Sequence, residues 1–77
     1  MEIVLNELPQ SAVGIITRLS DHSPMRRRLL DLGFVPGETV ECMFQNAGKS
    51  LKAYGICGGV IALRRGDAAG ILVEYSI

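Results

Sequence analysis

The sequence has no tryptophan, two cysteines, one histidine and no surplus of either charge sign, and each shortage removes a class of protein. Cys42 and Cys57 are too few for the disulfide framework with which a small secreted domain reinforces a thin core. A reducing compartment, and so the cytoplasm, is expected. His22, Cys42 and Cys57 fall in neither C-x-x-C nor H-x-x-x-H spacing, so no protein-only metal site and no cofactor is expected. Eight Lys/Arg stand against eight Asp/Glu, and a neutral molecule has no overall field to draw nucleic acid or anionic lipid. Apolar runs such as Val60-Ile61-Ala62-Leu63 are far short of the ~20 residues of a spanning helix, and no basic segment plus apolar stretch opens the chain. Membrane insertion is not expected. The lone His22 has no G-x-S-x-G elbow, and the glycines of Gly55–Gly59 lack the Lys-Ser/Thr and helix of a phosphate-binding loop. That segment reads as a hairpin turn, and the chain as no enzyme. Phe34, Phe44, Tyr54 and Tyr75 are the whole aromatic set, and two of them read as core, which leaves a poor platform for stacking bases. A small nucleic-acid-binding β-barrel is therefore the alternative reading rather than the preferred one.

What is present is an ordinary globular composition, 48% hydrophobic in 77 residues, the size of one domain spanning 1–77. Turn signals recur at Pro9-Gln10-Ser11, Ser20–Pro24, Pro36-Gly37, Asn46-Ala47-Gly48, Gly58-Gly59 and Gly66-Asp67. Short strands fit between them. In Val13–Leu19 the alternation assigns Val13, Ile15, Thr17 and Leu19 to one half-buried face, and in the next strand Val40, Cys42 and Phe44 alternate with Glu41 and Met43. Ser50–Ile56 sets Leu51, Ala53 and Gly55 against Lys52, Tyr54 and Ile56, and Val60–Leu63 and Ile71–Tyr75 complete five strands. Leu30, Ile56, Ile61, Leu72 and Tyr75 are left as apolar residues outside the faces assigned to the core. One segment has the helical period instead: after Ser23-Pro24, Met25, Leu29 and Leu32 recur at i, i+4 and i+7, and Gly33 stops the helix. A helix so short must dock to persist. A single further turn is expected around Ala68 and Ala69. The fold class is mainly β, a small five-stranded barrel with one short α-helix.

The helix opens on Arg26-Arg27-Arg28, three cations at the end where the macrodipole is already positive. A sequence selected for stability alone places acids there. The bland account is a solvated face with Arg27 paired to Asp31 at i, i+4; the functional one is a patch for carboxylate or phosphate. Successive helical residues point about 100° apart, so at most two of the three arginines serve one surface. Self-association is a third possibility, through edge strands expected at Ser50–Ile56 or Ile71–Tyr75.

The block Arg26-Arg27-Arg28-Leu29-Leu30-Asp31-Leu32-Gly33-Phe34-Val35-Pro36-Gly37, together with Ala62-Leu63-Arg64-Arg65-Gly66-Asp67-Ala68-Ala69-Gly70-Ile71-Leu72-Val73-Glu74, closely resembles the FeoA family. The likeness runs from about Leu5 to Glu74. A similar domain is appended to iron-dependent repressors, of which the chain could be a stand-alone relative; with no DNA-binding domain before it, a stand-alone FeoA-like protein is the better fit. Many members carry a proline-containing loop where this chain has Gln45-Asn46-Ala47-Gly48-Lys49. The resemblance implies an SH3-like barrel in a bacterial cytoplasm. It also implies an accessory or regulatory role beside FeoB, the membrane ferrous-iron transporter with a cytoplasmic GTP-binding domain. Carried onto this chain, it makes Arg26, Arg27, Arg28, Leu29, Leu30, Phe34 and Pro36 the candidate partner-binding residues.

Overall fold

Alternating side chains lay a strand down wherever turn residues let the chain reverse, and here that happens once more than the sequence suggests. The computed structural model describes residues 1–75. The elements in order are β1 (Glu2–Val4), a 3₁₀ turn at Leu5–Glu7, β2 (Val13–Leu19), α1 (Arg26–Leu32), β3 (Thr39–Gln45), β4 (Leu51–Ile56), β5 (Gly59–Arg64), α2 (Arg65–Ala68) and β6 (Ile71–Tyr75). All five expected strands are present. The sixth, β1, is a three-residue piece too short to show a period in sequence. Pairing is antiparallel throughout, in the order β1-β6-β2-β3-β4-β5. The segments expected at sheet edges, β4 and β6, are therefore interior, and β1 and β5 are the edges.

The two edges do not pair with each other among the described residues, yet the sheet curls until its ends meet through side chains and turns. The Leu5–Glu7 turn follows β1, α2 follows β5, and the two touch. From β4, the Lys52 ammonium donates to the Asn6 and Leu8 carbonyls at 2.5 and 3.2 Å, and the Tyr54 hydroxyl faces the Leu5 carbonyl at 3.5 Å. Inside the curl lie Leu5, Leu8, Ile16, Leu29, Phe34, Val40, Cys42, Tyr54, Ile71 and Val73, all but sealed from solvent. Cys42 is the small core residue its strand position suggests.

Two bulges reverse the expected faces. A register shift between Ile16 and Arg18 in β2 means that counting back by twos from the buried Leu19 lands on the wrong side. Gly14 and Ile16 face the core, while Val13, Ile15 and Thr17 are exposed. A second shift between Cys42 and Phe44 in β3 leaves Val40 and Cys42 inside but turns Phe44 out, 59% exposed. One inserted residue exchanges the faces of everything beyond it. In β4 the inward set is Lys52, Tyr54 and Ile56, and Leu51 lies outside. Ile56 thus leaves the group of unassigned apolar residues, and Leu30, Ile61, Leu72 and Tyr75 are half-buried, with Leu30, Ile61 and Tyr75 packed against the core.

Helix α1 begins after a turn built by Ser23, whose Oγ accepts from the Met25 N–H at 3.3 Å and whose carbonyl accepts from Arg26 N–H at 3.1 Å. It ends at Gly33, which has φ +111° and lets Phe34 N–H reach the Leu29 carbonyl at 3.0 Å. Leu29 is fully buried, with Met25 and Leu32 half-buried beside it. The single turn expected near Ala68 is α2, and Ala68 is its buried residue.

Gly33 is required twice over. Its φ disfavours any side chain, and a Cβ there would lie 2.9 Å from Cys57 Sγ at the tip of the β4–β5 turn. Gly33→Ala is expected to destabilise the protein by about 2 kcal/mol, measured by urea unfolding; a loss of under about 0.5 kcal/mol would show that neither constraint operates.

The buried hydroxyl gives a second expectation. Burial pushes the Tyr54 phenol well above its ordinary 10.0, with nearby Cys42 adding to the shift. Burial likewise raises the Cys42 thiol above 9.0, partly opposed by Lys52. As pH rises through these ordinary values the unfolded chain sheds protons that the folded chain keeps. This contribution to stability is therefore complete below about pH 9 and is lost above it, for Tyr54 by up to about 1.4 kcal/mol per pH unit once pH exceeds its ordinary value. Tyr54→Phe should flatten that decline between pH about 9 and about 11; equal slopes in variant and wild type would exclude Tyr54 as its source.

Candidate partner-binding site

The three arginines fan around the exposed side of α1, as the 100° step of a helix requires. Arg26 Nε lies 3.5 Å from Asp21 Oδ1, Arg27 Nε lies 3.4 Å from Asp31 Oδ1, and Arg28 makes no ion pair among the described residues. All these side chains are exposed, where an ion pair contributes little. The guanidinium groups can exchange present partners for new ones at small cost.

Arg26, Leu30 and Pro36 converge on one groove of about 560 Å³, completed by Arg18 and Leu19 of β2, the Ser20–His22 loop and Leu72 of β6. Its floor is apolar, from Leu19, Leu30, Leu72 and Pro36. Its rim carries two cations, Arg18 and Arg26, against one acid, Asp21, with the polar ring of His22 beside them. Arg18 also reaches Glu2 at 3.6 Å. Arg27 and Arg28 are exposed but do not line this groove. Leu29 and Phe34 have no exposed surface at all, so the contact expected of them is corrected to a packing role: they seat the helix so that Leu30 faces the groove.

Arg18 and His22 join the site without a local signal. Arg18 belongs to a strand whose outward face is set by the bulge, and His22 to a loop whose position depends on the Ser20 N–H bond to the Gly70 carbonyl at 2.7 Å. A run of turn residues alone gives neither placement.

Among the described residues no group of three or more His, Cys, Asp or Glu is gathered as a metal site. Both thiols are free, Cys42 buried and Cys57 exposed. Among the described residues the polar contacts of Cys57 Sγ are long, 3.8 Å to Glu38 Oε2 and 3.9 Å to the Gly33 carbonyl. Away from the groove, the outward faces of β2 to β5 show Val13, Ile15, Met43, Phe44, Leu51 and Val60, each at least 40% exposed.

The FeoA domain matches residues 3–75. The chain belongs to the FeoA family. An FeoA-like protein from Clostridium acetobutylicum, 26% identical, superposes with a TM-score of 0.91 over 99% of this chain and 88% of its own. A zinc-complexed FeoA from Stenotrophomonas maltophilia, 26% identical, matches at 0.84 over 94% and 89%; it is described as an SH3 domain protein proposed to activate bacterial ferrous iron transport. The FeoA chain therefore has the SH3-like fold, with its curled sheet closed by side chains instead of by a complete ladder. A manganese-dependent transcriptional repressor, 18% identical, shares the fold at 0.86 over 97% of this chain and 42% of its own. No curated protein matches in sequence. Among the described residues no helix is long and apolar enough to cross a membrane.

Proposed function

We propose that this FeoA-family protein is a non-enzymatic accessory factor of ferrous iron uptake that works in the cytoplasm. In this reading it docks on a FeoB-like transporter, or on that transporter's GTP-binding domain, through the groove beside α1. The observation that carries the reading is the meeting of Arg26, Leu30 and Pro36 on one surface with an apolar floor and a cationic rim. An acidic partner surface is drawn by Arg18 and Arg26, with Arg27 and Arg28 extending the positive face. A partner side chain seated on Leu30 then slows release, since charge governs encounter and desolvated apolar contact governs residence. Family membership and the ferrous-iron transport role given for the Stenotrophomonas relative support the same assignment. The nucleic-acid alternative has less behind it: Phe34 and Tyr54 are buried, Tyr75 is half-buried, and Phe44 alone is fully presented for stacking.

The test is binding of the full chain to the isolated cytoplasmic domain and to detergent-solubilised FeoB-like transporter. Arg26→Glu/Arg27→Glu and Leu30→Gln, each shown to be folded by circular dichroism, are expected to bind at least about tenfold more weakly. Wild-type affinity in both would remove the groove from the interaction.

A second reading is favoured by the exposed Phe44 and Val60 beside the open edge of β5, which is uncharged from Gly59 to Leu63. An unpaired, uncharged edge invites a second strand, here in self-association. Sedimentation at rising concentration should show a mass increase that Val60→Lys abolishes; a monomer at all concentrations excludes it.

A further inference from the structure

Lys52 is the buried charged residue of the described structure, 7% exposed. Its ammonium is held by the Asn6 and Leu8 carbonyls, which occupy two of three N–H donors. No carboxylate lies within ion-pair distance of it among the described residues. Its protein partners are neutral carbonyls, so an anion beside it would add an attractive contact that the fold itself does not supply.

Beside Lys52 is a cavity of about 410 Å³, lined by Lys49, Lys52 and Arg65 with Glu7 as its one acid, a net of two positive charges. That volume falls in the range of small-molecule sites, about 300–1,000 Å³. The cations sit on a common frame. Arg65 N–H bonds the Ser50 carbonyl at 3.0 Å, and Lys49 is fixed in a left-handed conformation, φ 59°, within a turn clasped by the Asn46 side chain. The Asn6 side chain lines the same cavity, and its buried amide oxygen has no hydrogen-bond partner among the described residues.

We propose that this cavity binds phosphate, as the free ion or as the head of a small monoester. A phosphate dianion matches the two net charges of the lining, takes the spare Lys52 donor, and accepts from the Arg65 fork and the Lys49 ammonium. The site shares no lining residue with the α1 groove and stands whether or not that groove binds a transporter.

The experiment is a titration of the isotopically labelled full chain followed by amide chemical shifts, with inorganic phosphate and glycerol 3-phosphate in separate arms and sodium chloride at matched ionic strength as control. Saturable shifts are expected at Asn6, Lys52 and Arg65 with both phosphates and not with chloride. Lys49→Gln/Arg65→Gln, which leaves the structural Lys52 in place, should weaken both at least about tenfold. Tighter binding of the ester identifies a monoester as the ligand, and equal binding identifies the free ion. No saturable shift up to about 10 mM, or unchanged affinity in the double variant, would overturn the proposal.

Discussion

The contact on which the rest of this small barrel depends is the reach of β4 across the open side of the sheet to the Leu5–Glu7 turn. A six-stranded antiparallel sheet with unpaired edges has one apolar face and no second layer to cover it. Curling solves the problem by making the sheet its own second layer, but only if the ends are joined. Here the Lys52 ammonium and the Tyr54 hydroxyl meet the carbonyls of residues 5, 6 and 8, groups that a 3₁₀ turn leaves without strand partners. Leu5 and Leu8 then flank those carbonyls as fully buried core residues. The polar closure and the apolar core are thus two sides of one turn.

That closure also explains which parts of the fold could be read in advance. Gly33 ends α1 by local chemistry, whereas Ser23-Pro24 mark only the turn before it: the helix starts at Arg26 after Met25, two residues later than an N-cap at Ser23 would have it. The turn residues of Pro36-Gly37 and Gly58-Gly59 precede strands that do form. Most of β2 and the far end of β3 could not be read, because each carries a bulge whose position is decided by pairing to a distant strand; Leu19, Val40 and Cys42 do lie inside as the alternation has them. A period-two count has no means of registering an extra residue, so it points Val13, Ile15 and Phe44 inward where they lie outward. Lys52 is the opposite case. On a half-polar strand it reads as a solvent-facing cation, and its burial follows from acceptors 44 and 46 residues away.

The candidate site divides along the same line. Arg26, Leu30 and Pro36 come from one contiguous block whose helix and turn set their spacing, so their proximity was legible. Arg18, His22 and Leu72 come from other elements and are added by the fold. Leu29 and Phe34 illustrate a different limit: the resemblance marks a block in which contact residues and packing residues are interleaved, and only burial separates them. The i, i+4 period places Leu29 inward, and the structure agrees with the period over the resemblance.

A neutral molecule acquires a directed surface by segregating its charges, and this chain segregates them against the preferences of its own helix. Three arginines at the positive end of α1 forgo the stabilisation that acids would bring there, while the closest acids, Asp21 and Asp31, hold Arg26 and Arg27 through exposed contacts that contribute little. Such pairs keep the side chains extended without binding them tightly. Of these, Arg26 and Asp21 border the groove, and its apolar lining is placed for an unrelated reason: Gly33 ends the helix against Cys57 of the β4–β5 turn, which ties Leu30 to the sheet. Loosely paired charge beside that packed apolar surface would let a partner approach in many orientations and seat in few.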